Sequence, residues 1–187
     1  MSSNGKLTAE VAIYLSEYLK DSDYEVLFDH GSSLKKIPLG VKVGHIVSWV
    51  GDKRGSQLSH IDITIVEKSS RKAFALIEIE EANDKPKDFL GDAFAILIGE
   101  RITFRGKALK IRDWTTLIVL GKRTIDQESK SSHKKRTEYL LQMIETLKDT
   151  MRTENSKVGK VILGIFVDGP DLKRILSEEF AYFKKGK

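Results

Sequence analysis

The spacing of hydrophobic positions changes along the chain, and each change marks an element. Over residues 8–20, Val11, Tyr14, Leu15, Tyr18 and Leu19 recur at helical spacing, with Leu7 joining the stripe just upstream, which predicts an amphipathic first helix. Residues 21–59 are broken by Gly31, Pro38, Gly40, Gly44, Gly51 and Gly55 into short pieces around two expected strands, 24–28 and 45–50. A dense β-branched strand is expected over 61–66, and 73–80 reads as its partner across the polar turn 67–72. Pro86 then stands near a helix start, and Phe89, Leu90, Ala93, Phe94, Leu97 and Ile98 make a broad apolar stripe ending near Gly99. A compact strand, 115–120, stops at Gly121 and gives way to a polar, basic loop through Lys130. A long helix opening at Ser131 or Ser132 is expected to carry Tyr139, Leu140, Met143, Ile144, Leu147 and Met151 on one face. The last strand is expected over 161–167, and Asp168-Gly169-Pro170-Asp171 supplies the start of a final helix with Leu172, Ile175, Leu176 and Phe180 inward.

This order predicts an α/β fold in which a mixed central β-sheet is flanked by helices on both faces. At 187 residues the chain suits one core, so a single domain over 1–187 is expected. No run of 18 apolar residues is present, and the first residues lack the apolar segment of a secretory signal, so the expected setting is cytoplasmic with no membrane. With no cysteine and four histidines scattered along the sequence, any metal is expected to be held mostly by oxygen. A net charge of +5 is compatible with a polyanionic partner without demanding one.

The chemistry concentrates on the expected hairpin. Glu78 and Glu80 are two apart on a strand and share a face, separated by about 6–7 Å of strand rise. Closing the turn around 69–71 puts Asp62 opposite or nearly opposite Glu78, about 5 Å away. Two like charges at that distance repel by roughly 3 kcal/mol at an effective dielectric near 20. A trapped proton or a divalent cation relieves such a group, and oxygen-only ligands select Mg2+, Mn2+ or Ca2+. The competing account is a solvent-facing polar stripe on an exposed sheet.

A first helix, a strand carrying Asp62, a turn, a strand ending in Glu78-Ile79-Glu80, then a helix and a strand: this combination resembles the PD-(D/E)XK nuclease superfamily, the restriction-endonuclease-like fold. The resemblance spans roughly residues 7 to 120 in element order. It implies that Asp62 and Glu78 bind the metal, Mg2+ or Mn2+. His60-Ile61-Asp62 replaces the family's Pro-Asp, and Glu80 stands where its lysine belongs. A subset of type II restriction endonucleases similarly carries Glu there, as general base or metal ligand, and Glu78-Ile79-Glu80-Glu81-Ala82-Asn83-Asp84-Lys85 resembles their segment. Lys85 or Lys87 is the implied substitute for the displaced lysine. Glu10 or Glu17 of the first helix is the implied further acid, with Glu10 preferred.

The resulting expectation is a metal-dependent endonuclease acting most readily on DNA, assembled as a homodimer by analogy with the family. The alternative is a non-catalytic nucleic-acid-binding protein that keeps the fold and has lost the lysine. Lys130, His133, Lys134, Lys135 and Arg136 form a basic run at a helix start, against the helix dipole, and read either as phosphate contacts or as a solvated loop. Lys35-Lys36, Lys53-Arg54, Arg101, Arg105 and Lys107 are scattered further candidates. His60 reads as a strand-entry residue, Glu81 as a solvated strand end, and Trp49 and Trp114 as core or edge residues.

Overall fold

The computed structural model describes residues 5–29, 37, 40–50, 56–81, 86–122, 142 and 158–181, with the side chains of 86–89 set aside. The expected helix beginning at Ser131 or Ser132 lies, Gln142 apart, outside the described residues. In chain order the elements are α1 (Lys6–Tyr18), β1 (Tyr24–Phe28), β2 (Val41–Val43), β3 (Ile46–Trp49), β4 (Gln57–His60), β5 (Ile63–Glu67), β6 (Lys72–Glu80), α2 (Pro86–Leu97), β7 (Arg101–Phe104), β8 (Lys107–Lys122), β9 (Val158–Phe166) and α3 (Gly169–Phe180). This is an α/β fold with a mixed, largely antiparallel sheet and three helices among the described residues. No helix there is long and apolar enough to cross a membrane.

The strands run in the order β2-β1-β5-β6-β8-β7-β3-β4, with β9 on the far side of β8. β5 pairs antiparallel with both β1 and β6, whereas β6, β8 and β9 are mutually parallel. The carboxyl ends of β1, β6, β8 and β9 therefore share one edge with the amino end of β5. Open α/β sheets commonly bind ligands outside the carboxyl ends of their strands, so this edge is where chemistry is sought.

Alternation along the strands divides the core in two. Phe28, Ile63, Ile65, Ile77, Ile79, Ile118, Leu120 and Phe166 point to one face and pack on Val11 and Leu15 of α1, Leu19 just after it, and Leu172, Leu176 and Phe180 of α3. Leu27, Leu76, Leu117, Val119 and Leu163 point to the other, where they meet Ala93, Ile96 and Leu97 of α2 with Ile46 and Ile102 of β3 and β7. Each fully buried side chain of this kind stabilises the fold by about 1.5–3 kcal/mol. The two-residue period of the strands thus decides which acids end on which face.

β8 pairs with β7 along its first part and with β6 and β9 along its second because it bends. Ala73 and Ala75 of β6 face Ile111 and Thr116, so residues 112–115 bulge out against a single partner residue. The Thr115 hydroxyl reaches the carbonyls of Ala73, at 3.0 Å, and Arg112, at 2.6 Å. Trp114 sits at the bulge with φ 68° and its ring largely in solvent, so it is an exposed edge residue and no part of the core. A Cβ on Gly159 would lie 2.6 Å from the Trp114 Cα, which is why β9 carries glycine there.

The helix starts are held by carboxylates. Asp168 accepts from Asp171 N at 2.9 Å, Asp171 accepts from Val167 N at 3.0 Å, and Pro170 fills the first turn of α3. The Arg174 guanidinium, hydrogen-bonded at 2.7 Å, holds the Asp171 carboxyl below its ordinary range. α1 has no side-chain cap of its own, because Gly5 precedes it. Glu81 supplies one instead, its Oε1 accepting from both the N–H and the hydroxyl of Thr8 at 2.6 Å. The expected solvated strand end is thus the anion at the N-terminus of α1.

Candidate functional site

Three acids line up across three neighbouring strands. The register pairs Phe28 with Ile63 and Ile63 with Ile77, so one step toward the carboxyl edge Asp29, Asp62 and Glu78 fall side by side. Asp29 N donates to the Asp62 carbonyl at 3.0 Å, which fixes the first pair. Because Phe28, Ile63 and Ile77 point to the α1 and α3 face, their three acidic neighbours emerge on the α2 face. Glu80 follows Glu78 on that same face.

The carboxylates of Asp62 and Glu78 are tied into the strands. Asp62, buried, accepts from Ile79 N at 2.9 Å, while Glu78 Oε2 accepts from Asp62 N at 3.1 Å. Each acid is therefore anchored by a backbone N–H from the other strand. α2 adds a fourth acid, Asp92, whose Oδ1 accepts from the Ser59 hydroxyl at 3.1 Å. Burial pushes the Glu78 carboxyl well above its ordinary range, and the negative charges of Asp62, Asp92 and Glu80 push it further. The Asp62 N–H opposes this, since it favours the ionised form, but it does not prevail. Asp62, Glu78, Glu80 and Asp92 thus bring an all-oxygen set near one another from the β5–β6 edge and α2, close enough for their charges to act on Glu78; among the described residues, the group with three ligand atoms within 4.8 Å of one another is a different one, Asp29, His45 and His60.

The outer end of the row is different in kind. Asp29 Oδ1 is 2.8 Å from His45 Nδ1, and Asp29 Oδ2 is 2.7 Å from His60 Nδ1. The same Oδ2 accepts from Ile46 N at 3.3 Å. The two rings stand nearly perpendicular, 5.5 Å apart, over a carboxylate that is itself buried. The histidines expected to be too scattered for a common site are brought together here by strand pairing: Ile61 N donates to the Ile46 carbonyl at 2.9 Å, and His60 pairs with Val47.

Comparison of the chain with protein-family models, with curated proteins and with solved structures returned no match. The function is therefore argued from the residues themselves.

The remaining sequence candidates separate clearly. Asp62 and Glu78 meet as the turn predicted, with Glu80 on their face. Glu10 is exposed on α1, on the other side of the sheet, and its Oε2 lies 3.9 Å from where a Cβ on Gly169 would stand, at the start of α3. Glu17 lies 3.9 Å from Lys20 on the outer side of α1. Lys85 lies outside the described residues, as do Lys130, His133, Lys134, Lys135 and Arg136, and likewise Lys35, Lys36, Lys53 and Arg54; the Lys87 side chain is also undescribed. Arg101 lies over the Trp49 ring, and Arg105 donates to the Val43 carbonyl at 2.8 Å, so both contact their own fold. Lys107 is exposed at the start of β8.

Sequence reasoning missed Asp29, His45 and Asp92, and it set His60 aside. Asp29 ends an apolar strand directly, and Asp92 interrupts the apolar stripe of α2 beside buried Ala93. Both are acids where the local pattern favours an apolar residue, and that was the available signal.

Proposed function

We propose that the protein is a divalent-metal-dependent nuclease of the restriction-endonuclease-like fold, hydrolysing phosphodiester bonds in nucleic acid, DNA foremost. The observation that carries this reading is the pair Asp62 and Glu78, anchored reciprocally to each other's strand on one face, with Glu80 and Asp92 adding negative charge. A chain selected only for folding avoids such a pair, because like charges opposite one another destabilise a sheet. Oxygen donors are what Mg2+ or Mn2+ takes, and in this reading Asp62 and Glu78 are the ligands, with Glu80 or Asp92 drawn in to complete the oxygen shell. Bound there, the ion would stabilise charge on a phosphoryl oxygen and make a water more acidic.

The chain's own residues supply the rest. The backbone N–H groups of Ile79 and Asp62 hold the two carboxylates in place, so little ordering remains to be done when a cation or substrate arrives. Glu80, on the same face, is the third ligand or the acceptor of the proton from the attacking water. The apolar packing of Ile77 and Ile79 on the opposite face makes β6 a rigid platform for both acids. Element order supports the fold assignment: α1, the Asp62 strand, the Glu78 strand, α2 and then β8 parallel to β6 follow the sequence that the resemblance implies. A homodimer and a nucleic-acid contact through Lys130, Lys134, Lys135 and Arg136 belong to the same proposal.

The test is incubation with plasmid DNA, single-stranded DNA and RNA in Mg2+ or Mn2+, beside Asp62→Ala and Glu78→Gln. Metal-dependent cleavage lost in both variants is the expected result. Binding of nucleic acid without cleavage, unchanged by either substitution, overturns the enzyme in favour of the non-catalytic binding module.

A further inference from the structure

We propose that Asp29, His45 and His60 form a second metal centre, distinct in donor chemistry from the acid row, that takes a borderline-soft divalent ion, Zn2+ foremost. The three residues come from the end of β1, the start of β3 and the end of β4, and each presents one ligand atom within 4.8 Å of the other two. Their donors are two imidazole nitrogens and one carboxylate oxygen. Imidazole suits Zn2+ and its transition-metal neighbours, whereas carboxylates with water suit Mg2+ and Mn2+, so the two ends of one row select different ions.

The geometry is close to what such an ion requires. Donors bonded to tetrahedral Zn2+ at about 2.0–2.1 Å stand about 3.3 Å apart. Here each Nδ1 stands 2.7–2.8 Å from an Asp29 oxygen and the three ligand atoms lie within 4.8 Å of one another, a spacing that rotations of the exposed rings can bring to that of a bound ion. The support beneath is fixed: Ile46 N–H holds the Asp29 carboxylate, and the Ile61–Ile46 hydrogen bond keeps the two histidine segments together. Exposure completes the case. The Asp29 side chain is 3% exposed, while those of His45 and His60 are 79% and 49% exposed. A buried anion under two solvent-facing imidazoles gives three protein ligands and an outward position for water or an anionic ligand, the arrangement of reactive rather than purely structural zinc sites.

The experiment is calorimetric titration of the whole protein with Zn2+ in excess Mg2+, repeated on His45→Gln, His60→Gln and Glu78→Gln. Circular dichroism confirms that each variant folds. Binding of one Zn2+ is expected, weakened at least about tenfold by either histidine substitution and retained in Glu78→Gln. Co2+ in place of Zn2+ should give the visible absorption of a nitrogen-ligated low-coordinate site, lost in both histidine variants. No Zn2+ uptake by the parent protein overturns the proposal and leaves the cluster a hydrogen-bonded clasp. So does uptake indifferent to both histidines, or uptake abolished by Glu78→Gln alone. Cleavage in Mg2+ depends on Asp62 and Glu78 and is measured separately, so the failure of one site is distinguishable from that of the other.

Discussion

Glu78 and Glu81 stand three residues apart at the end of the same strand, and the two faces of the sheet treat them in opposite ways. Glu81 leans toward α1, where two donors from Thr8 and the positive end of the helix meet its charge. Glu78 turns toward α2, where three further acids raise the cost of its charge. One face uses a carboxylate to cap a helix; the other gathers Asp62, Glu80 and Asp92 around Glu78, where burial and their charges push its carboxyl up. The contrast shows that acids at this edge can be neutralised locally, and the proposed metal site rests on their gathering on the α2 face instead.

The largest effect expected from breaking this contrast is on chemistry. Asp62→Ala removes one of the two anchored acids of the proposed site while leaving α1 and its cap untouched. It should lower Mn2+-dependent cleavage by about 10²–10³-fold, the scale of losing one preorganised charge-stabilising group. Plasmid-nicking rates measured on protein with unchanged circular dichroism check this.

The next effect lies on the other face. Glu81→Ala leaves the first turn of α1 without its anion and should destabilise the protein by about 1–2 kcal/mol, as lost helix caps do. Urea denaturation measures it, and Mg2+ affinity should stay as it was. A Glu81→Ala protein that lost Mg2+ binding would show that the two faces are not separate in function.

How much of this was readable beforehand follows from how local each signal is. The β5–β6 hairpin closes over a short turn, so the pairing of Asp62 with Glu78 could be counted from the sequence, and the Asp168-Gly169-Pro170-Asp171 start of α3 is likewise a matter of adjacent residues. β2, β4 and β7 were invisible because strands of three or four residues carry too little period to register. The polar first half of β8 failed for the same reason, its alternating exposure resembling a loop. Asp29 reaches the row only because β1 pairs with β5, far along the chain, and His45 meets His60 only because β3 pairs with β4. Asp92 required the rotation of α2 about its axis. Local pattern thus gave Asp62, Glu78 and Glu80, while long-range strand pairing supplied Asp29 and His45 and helix packing supplied Asp92.

The smallest effect is also the most specific, because it reads the crowding itself. Glu78 holds a proton more tightly in the folded protein than in the unfolded chain, through burial and the charges of Asp62, Asp92 and Glu80. Between the ordinary carboxylate range and its raised value, the native state therefore binds more protons, and stability falls as pH rises through that window. Glu78→Gln cannot release a proton there, so the metal-free variant should be more stable at neutral pH by about 1 kcal/mol, with a flatter pH dependence over the window. Mg2+ should act in the opposite direction on the parent protein. It binds the native state only, and at about 100 times its dissociation constant it adds about 2.7 kcal/mol, a gain that should shrink in Glu78→Gln. Thermal melts across pH, with and without Mg2+, give all four curves. A substitution that destabilised the metal-free protein at neutral pH would mean that the ionised Glu78 supports the fold, as Glu81 does, and the two faces would then differ only in degree.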